Sequence, residues 1–190
     1  MEKWIKEIIE NKKSLIDRLS EEGYFDEVEK AGAIFLDSIK SGGKILTAGN
    51  GGSAADAQHF TGEIIGRFLK ERGPMAAVTM TVDPTVMTCL GNDYGYDEAI
   101  ARQVEGLGKE GDSVLLITTS GNSENMIRAA KMAKNKGMNV IGLLGKDGGK
   151  MKELCDVPLV VTTNETPRIQ EIHTFTVHLL CQIIEDGNFS

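Results

Sequence analysis

Five short apolar runs, at 44–48, 76–80, 113–118, 138–144 and 157–161, punctuate this chain, and helical patterns fill the gaps between them. That alternation constrains the fold more than any other feature. Each run is nearly continuous in apolar residues, so each predicted strand is buried on both faces. Helical patterns at 53–69, 84–91, 97–107, 123–136 and 167–185 then cover a parallel sheet from two sides. The expected fold class is α/β: a five-stranded parallel sheet flanked by helices, flavodoxin- or Rossmann-like, with right-handed crossovers. Two more amphipathic helices precede the first strand. Trp4, Ile5, Ile8, Leu15 and Leu19 mark one over residues 2–21, and Val28, Ala31, Phe35 and Ile39 mark another that runs to about Lys40. The pair exceeds what one sheet face requires, which points to packing against another subunit. No composition break marks a linker, so 1–190 reads as one domain, with a helical pair at 1–41 and an α/β core at 42–190.

In an open parallel sheet, ligands bind past the carboxyl ends of the strands, at the switch point. The segments there are Gly49-Asn50-Gly51-Gly52-Ser53, Thr81 to Asp97, Thr118 to Ser123, and Asn164 to His178. They are the polar, glycine-rich or histidine-containing stretches of the chain. The glycine turn lets backbone approach a ligand, and Ser53 is expected to cap the helix that follows. Gly49, Gly51 and Ala54 match G-x-G-x-x-A, but the acidic residue that a dinucleotide site wants after the second strand is missing, since Met80 and Thr81 stand there. There is no P-loop pattern. Thr118, Thr119, Ser120 and Ser123 place four hydroxyls at a strand end that opens a helix, where hydroxyls, backbone N–H groups and the helix dipole together favour a phosphate. A helix cap needs only one of them.

The histidines are His59, His173 and His178. His59 and Glu63 share a helix face at i,i+4. Gln170 and His178 lie about 80° apart around the last helix, close enough to share a side. If the two helices face each other, His59, Glu63, Gln170 and His178 can ligate a divalent metal such as zinc, and Glu63 and His178 can move protons. His173 reads as structural. Arg67, i+4 from Glu63, is expected to hold a phosphate or the glutamate. Lys70-Glu71-Arg72 reads as a solvated helix end, and Asn92-Asp93-Tyr94-Gly95-Tyr96 as a loop whose amide and carboxylate suit sugar hydroxyls. A formal charge of −7 argues against nucleic acid as a partner. Cys89, Cys155 and Cys181 are scattered and fit reduced thiols of the cytoplasm. No apolar run approaches the length of a membrane span.

The runs G-N-G-G-S-A-A-D-A-Q-H-F-x-x-E, G-N-D-Y-G-Y-D, T-S-G-N-S-E-N and R-I-Q-E-I-H with a later His closely resemble the phosphoheptose isomerase family, within the sugar isomerase (SIS) domain group. The similarity covers nearly the whole chain. It implies a single SIS domain, a homotetramer with active sites between subunits, and one zinc per subunit held by His59, Glu63, Gln170 and His178. It implies that Glu63 and His178 shuttle the proton between C1 and C2 of the sugar. It further implies that Asn50, Gly51, Gly52, Asn92, Asp93, Thr118, Thr119, Ser120, Ser123 and Gln170 hold the sugar phosphate, with Ser53, Glu63 and Arg67 beside them. The activity implied converts sedoheptulose 7-phosphate to D-glycero-D-manno-heptose 7-phosphate for lipopolysaccharide or other surface glycans. The alternative is a non-catalytic SIS regulator that binds a replication-initiator protein and has no need of the His, Glu, Gln, His set.

Overall fold

Strands occupy Ile45–Gly49 (β1), Ala77–Thr79 (β2), Ser113–Thr118 (β3), Asn139–Gly145 (β4) and Val157–Val161 (β5). The structure is a computed structural model that describes residues 2–187 in full and the backbone of residue 188; residues 1, 189 and 190 lie outside it. All neighbouring strands pair parallel, in the order β2-β1-β3-β4-β5. That order is flavodoxin-like and puts the switch point between β1 and β3. The register runs from Ile45 opposite Ser113 to Gly49 opposite Ile117, so the glycine turn and the hydroxyl-rich loop leave the sheet side by side.

The helices are α1 (Lys3–Glu21), α2 (Tyr24–Lys40), α3 (Gly52–Ile65), α4 (Pro84–Tyr94), α5 (Ala99–Leu107), α6 (Glu124–Asn135) and α7 (Thr166–Asn188). Strand side chains alternate between two apolar layers, as a period of two requires. Ile45, Leu115, Ile117, Ile141 and Leu159 meet α1, α2, α3 and α7. Leu46, Val114, Leu116, Val140 and Leu144 meet α5 and α6. The leading helical pair shares the first layer with the core. Phe35 of α2 packs on Phe60 of α3 at 5.6 Å between ring centroids, and Tyr24 Oη and Thr176 Oγ1 of α7 share a buried 2.9 Å hydrogen bond.

Three local expectations need correction. Helix α3 starts at Gly52, with Gly51 as its N-cap, so Ser53 lies inside the first turn and does not cap it. The same helix ends at Ile65, four residues short of the predicted end, where Gly66 lets the chain leave. Asn92 and Asp93 belong to the last turn of α4 and not to a loop. That helix has a strong start: Pro84 is its first residue, and the Asp83 carboxylate accepts from the N–H groups of Thr85 (2.8 Å) and Val86 (3.0 Å). A 3-10 helix at Gly149–Leu154 was not foreseen.

His173 is fully buried, as a structural residue should be. Its Nε2 contacts the Leu144 carbonyl oxygen at 3.1 Å while Nδ1 has no partner, so the ring sits neutral with Nε2–H donating. Burial pushes its pKa down to about 4, against a smaller upward pull from that hydrogen bond. The folded value lies below the unfolded one, so at pH 5 the unfolded chain binds a proton that the fold refuses. Stability from this group is complete above about pH 6.5 and falls as pH drops toward 4, by about 3 kcal/mol in total. Urea unfolding at pH 7 and pH 4.5 should show this loss, and His173→Gln should shrink it. An unchanged acid response in that variant would place the sensitivity elsewhere.

Candidate active site

The glycine turn closes on the hydroxyl-rich loop through a pair of amides. Asn50 Nδ2 donates to Asn125 Oδ1 (3.0 Å), Asn125 Nδ2 donates back to Asn50 Oδ1 (2.9 Å), and Tyr96 Oη donates to the same oxygen (2.7 Å). Asn125 is buried at the start of α6. The side chain of Asn50 is thus largely committed, so the turn offers a ligand mainly its backbone. Gly51 has φ +55° and ψ −122°, a conformation that glycine alone adopts readily. Across the switch point, Thr118 Oγ1 shares hydrogen bonds with Ser123 Oγ (3.1 Å) and Ser120 Oγ (3.5 Å), and Asn122 N–H donates to Ser120 Oγ (3.1 Å). Thr118, Ser120 and Ser123 therefore converge ahead of the α6 N-terminus, with Thr119 between them. Ser123 is the N-cap residue of α6, yet its hydroxyl makes no capping bond and stays with the loop. Such a cradle of hydroxyls at a helix N-terminus is chemically suited to an anion.

A second cluster forms where α3 runs beside α7. His59 Nε2 stands 3.3 Å from Glu63 Oε1. The His59 and His178 rings meet edge to face at 5.0 Å, and Phe68 stacks on the other side of His178 at 5.7 Å and 25°. His59 and Glu63 keep 39% and 26% of their side-chain surface open, enough for a ligand to reach them. Gln170 does not join this group. Its Nε2 sits over Gly52, where an added Cβ would fall 2.5 Å from it, and it lies about 12 Å along α7 from His178. Sharing a side of a helix is an angular condition, and the eight-residue rise still separates the two side chains.

Asp56, one turn before His59, accepts from Thr174 Oγ1 at 2.8 Å and ties α3 to α7. Burial raises its pKa, opposed by the Thr174 bond and His59. Arg67 is placed otherwise than expected. Because α3 stops at Ile65, Arg67 lies beyond the helix and reaches the exposed Glu71 at 3.6 Å. Arg72, expected in solvent, is buried against Glu185. Asn92 and Asp93 are exposed and bonded to each other (Nδ2 to Oδ1, 2.7 Å). They border the glycine turn through the chain that leads to Tyr96.

The SIS domain family matches residues 7–145. The phosphoheptose isomerase of Aliarcobacter butzleri is 52% identical over 161 residues, 85% of this chain and 85% of its own length. The chain belongs to the phosphoheptose isomerase family. The phosphoheptose isomerase of a Nitratiruptor species is 48% identical over 182 residues, 96% of both chains. The solved phosphoheptose isomerase from Neisseria gonorrhoeae shares the fold at TM-score 0.89 and 38% identity, covering 96% of this chain and 97% of that one. None of these relatives supports the alternative of a non-catalytic regulator.

For a phosphoheptose isomerase the donor set suits zinc: two imidazoles, a carboxylate and an amide. One chain gathers His59, Glu63 and His178 and leaves Gln170 elsewhere. Among the described residues, no three His, Cys, Asp or Glu side chains stand in metal-holding geometry. Burial, with a smaller push from nearby carboxylates, raises the thiols of Cys155 and Cys181 to about 12. The sequence reading missed Tyr96, Asn125 and Asp56, although all three lie in the runs that carried the resemblance. Their roles depend on partners 46 and 75 residues away for the first two and 118 away for the third.

Proposed function

We propose that this phosphoheptose isomerase interconverts sedoheptulose 7-phosphate and D-glycero-D-manno-heptose 7-phosphate, at the head of a route to nucleotide-activated heptose for lipopolysaccharide or other surface glycans. The observation that carries the reading is His59 standing between Glu63 on its own helix and His178 on a helix far away in sequence, in a fold whose switch point also carries the hydroxyl cradle. Glu63 takes a proton from C1 of the ketose, next to the C2 carbonyl. The electron pair left behind forms the C1–C2 double bond of an enediol(ate), and the same carboxyl, its proton exchanged with solvent, delivers a proton to C2. His178 supplies a proton to the carbonyl oxygen as charge develops there and recovers one from the neighbouring hydroxyl. Thr118, Ser120 and Ser123 with the α6 N-terminus hold the phosphate. His59, Glu63, Gln170 and His178 would hold zinc once assembly brings Gln170 to the other three, and zinc would there supply a Lewis acid for the carbonyl oxygen.

One chain does not complete this site. Glu63 lies about 16 Å along α3 from the glycine turn, further than an extended seven-carbon sugar phosphate reaches. Gln170 is likewise distant from His178. Both separations close if the cradle, the glycine turn and Gln170 come from one subunit and the His59, Glu63, His178 cluster from another. That ground supports an oligomer with sites between subunits, and the homotetramer that the family resemblance implies is the assembly we propose. An apolar groove of about 460 Å³, lined by Ile16, Phe25, Val28, Phe175, Leu179 and Ile183, gives α1, α2 and α7 a surface for such assembly. Among the described residues no helix is long and apolar enough to cross a membrane, and the proposed place of action is the cytoplasm.

The test is sedoheptulose 7-phosphate in deuterium oxide, followed by proton NMR with and without a chelator. A new heptose phosphate carrying deuterium at C2 is expected, with turnover reduced by the chelator. No conversion by folded protein would overturn the assignment. Conversion that ignores the chelator would remove zinc from it.

A further inference from the structure

Beside the Glu63 and His178 cluster lies an ion pair that no step so far uses. Arg72 and Glu185 are each 1% exposed, with Nε and Oε1 2.9 Å apart. So deep a pair is unusual for a surface-loop arginine, because its desolvation must be offset by nearly complete hydrogen bonding. Here it is. Arg72 Nη2 donates to the Glu63 carbonyl oxygen at 2.6 Å, and Nη1 donates to those of Ile64 (3.0 Å), Gly73 (3.1 Å) and Gly66 (3.3 Å). Glu63 and Ile64 belong to the last turn of α3, where the negative end of the dipole favours a cation. Glu185 accepts from the backbone N–H groups of Leu69 (2.8 Å), Lys70 (2.9 Å) and Phe68 (3.1 Å). Burial pushes its pKa up, but those three bonds and Arg72 outweigh it and leave it below the ordinary range.

We propose that Arg72 and Glu185 are positioning residues for proton transfer: one buried pair fixes Glu63 through the last turn of α3 and His178 through Phe68. The link to the base is direct, since Arg72 grips the carbonyl of Glu63 itself. The link to the acid runs through Glu185, which holds the Phe68 backbone while the Phe68 ring lies on the His178 imidazole. Glu185 stands on α7 two turns beyond His178, so the clamp also sets α3 against the helix that carries the acid. Lysine cannot replace Arg72, because an ammonium has no planar fork to span several carbonyls.

The inference rests on the roles given to Glu63 and His178 above, and its test separates the two. Glu185→Gln and Arg72→Lys are compared with wild type and with Lys70→Ala, a control at the exposed Lys70–Asp186 pair. Thermal melts establish that each variant is folded at the assay temperature. In both clamp variants kcat should fall about tenfold to hundredfold, as sub-ångström misplacement of reacting groups does, with KM unchanged. In carbon-labelled protein, the His178 imidazole signals should move as Phe68 shifts, while those of buried His173 stay. Unmoved His178 signals together with wild-type kcat in folded variants overturn the proposal. So does a change that moves His173 equally, because that is a general loss of structure. If wild type turns over no sugar phosphate, the isomerase reading falls, and the imidazole signals alone decide whether the pair holds His178.

Discussion

Glu63→Gln should lower kcat by about a thousandfold, within the range that a positioned general base contributes, and leave KM close to wild type. The change is isosteric, so His59 keeps a polar neighbour at the same place and α3 keeps its packing. An amide, however, cannot accept a proton from carbon. His178→Gln should cost less, because solvent can partly replace a group that moves protons between oxygens. Steady-state kinetics with sedoheptulose 7-phosphate measure both. Near wild-type turnover in Glu63→Gln would assign the base elsewhere, with the buried Asp56 the next carboxylate along the helix. The variant also reports on the composite site. Dissociated and reassembled with a cradle variant such as Ser120→Ala, it should form mixed oligomers in which some sites combine an intact cradle with an intact carboxylate. Activity should then exceed that of either parent. Failure to recover activity would confine the whole site to one chain and leave the separation of about 16 Å along α3 unexplained.

Gly121→Ala should raise KM for the sugar phosphate by about a hundredfold, equivalent to roughly 3 kcal/mol of lost binding. Gly121 has φ +64°, and a Cβ built there falls 1.9 Å from the Gly148 carbonyl oxygen and 2.8 Å from the Gly149 nitrogen. Both neighbours are backbone, so no side chain can rotate away. A left-handed alanine also costs about 1–2 kcal/mol by itself. The loop must therefore move, and it carries Ser120 and Ser123. Met151 N–H donates to the Gly121 carbonyl (3.0 Å) and Lys150 N–H to Asn122 Oδ1 (3.1 Å), so the displacement would strain the 3-10 helix as well. The readout is KM, with inorganic phosphate as a competitive inhibitor. A wild-type KM in the folded variant would show that the phosphate is held elsewhere.

The strands and helices were legible because their signal is local. Apolar runs of strand length and helical spacing each record which side of an element meets the core, and β3 and β5 begin and end where the sequence places them. The switch-point rule singled out the glycine turn and the hydroxyl-rich loop, and the sheet order sets these two loops side by side. Resemblance supplied the family, and the comparisons bear it out.

What went astray depends on partners distant in the chain. Arg67 and Arg72 are both charged and both follow α3, so composition treats them alike. Only the presence of Glu185, 113 residues away, buries one and leaves the other in water. Asn50 Oδ1 accepts from Asn125 Nδ2 and Tyr96 Oη, bonds that no local pattern announces. Gln170 and His178 share a helix side by angle, but helical rise keeps them apart, and only the packing of α7 along α3 shows that one neighbours Gly52 and the other His59.

The sequence by itself determined the five-stranded parallel sheet, the family and the residue types available for proton transfer, because periodicity and motif spacing are properties of neighbours in the chain. The tertiary structure alone decided which of those residues meet. A hydrogen bond or ion pair acts over about 3 Å of space, whatever the separation in sequence, and that distance exists only once the helices have packed.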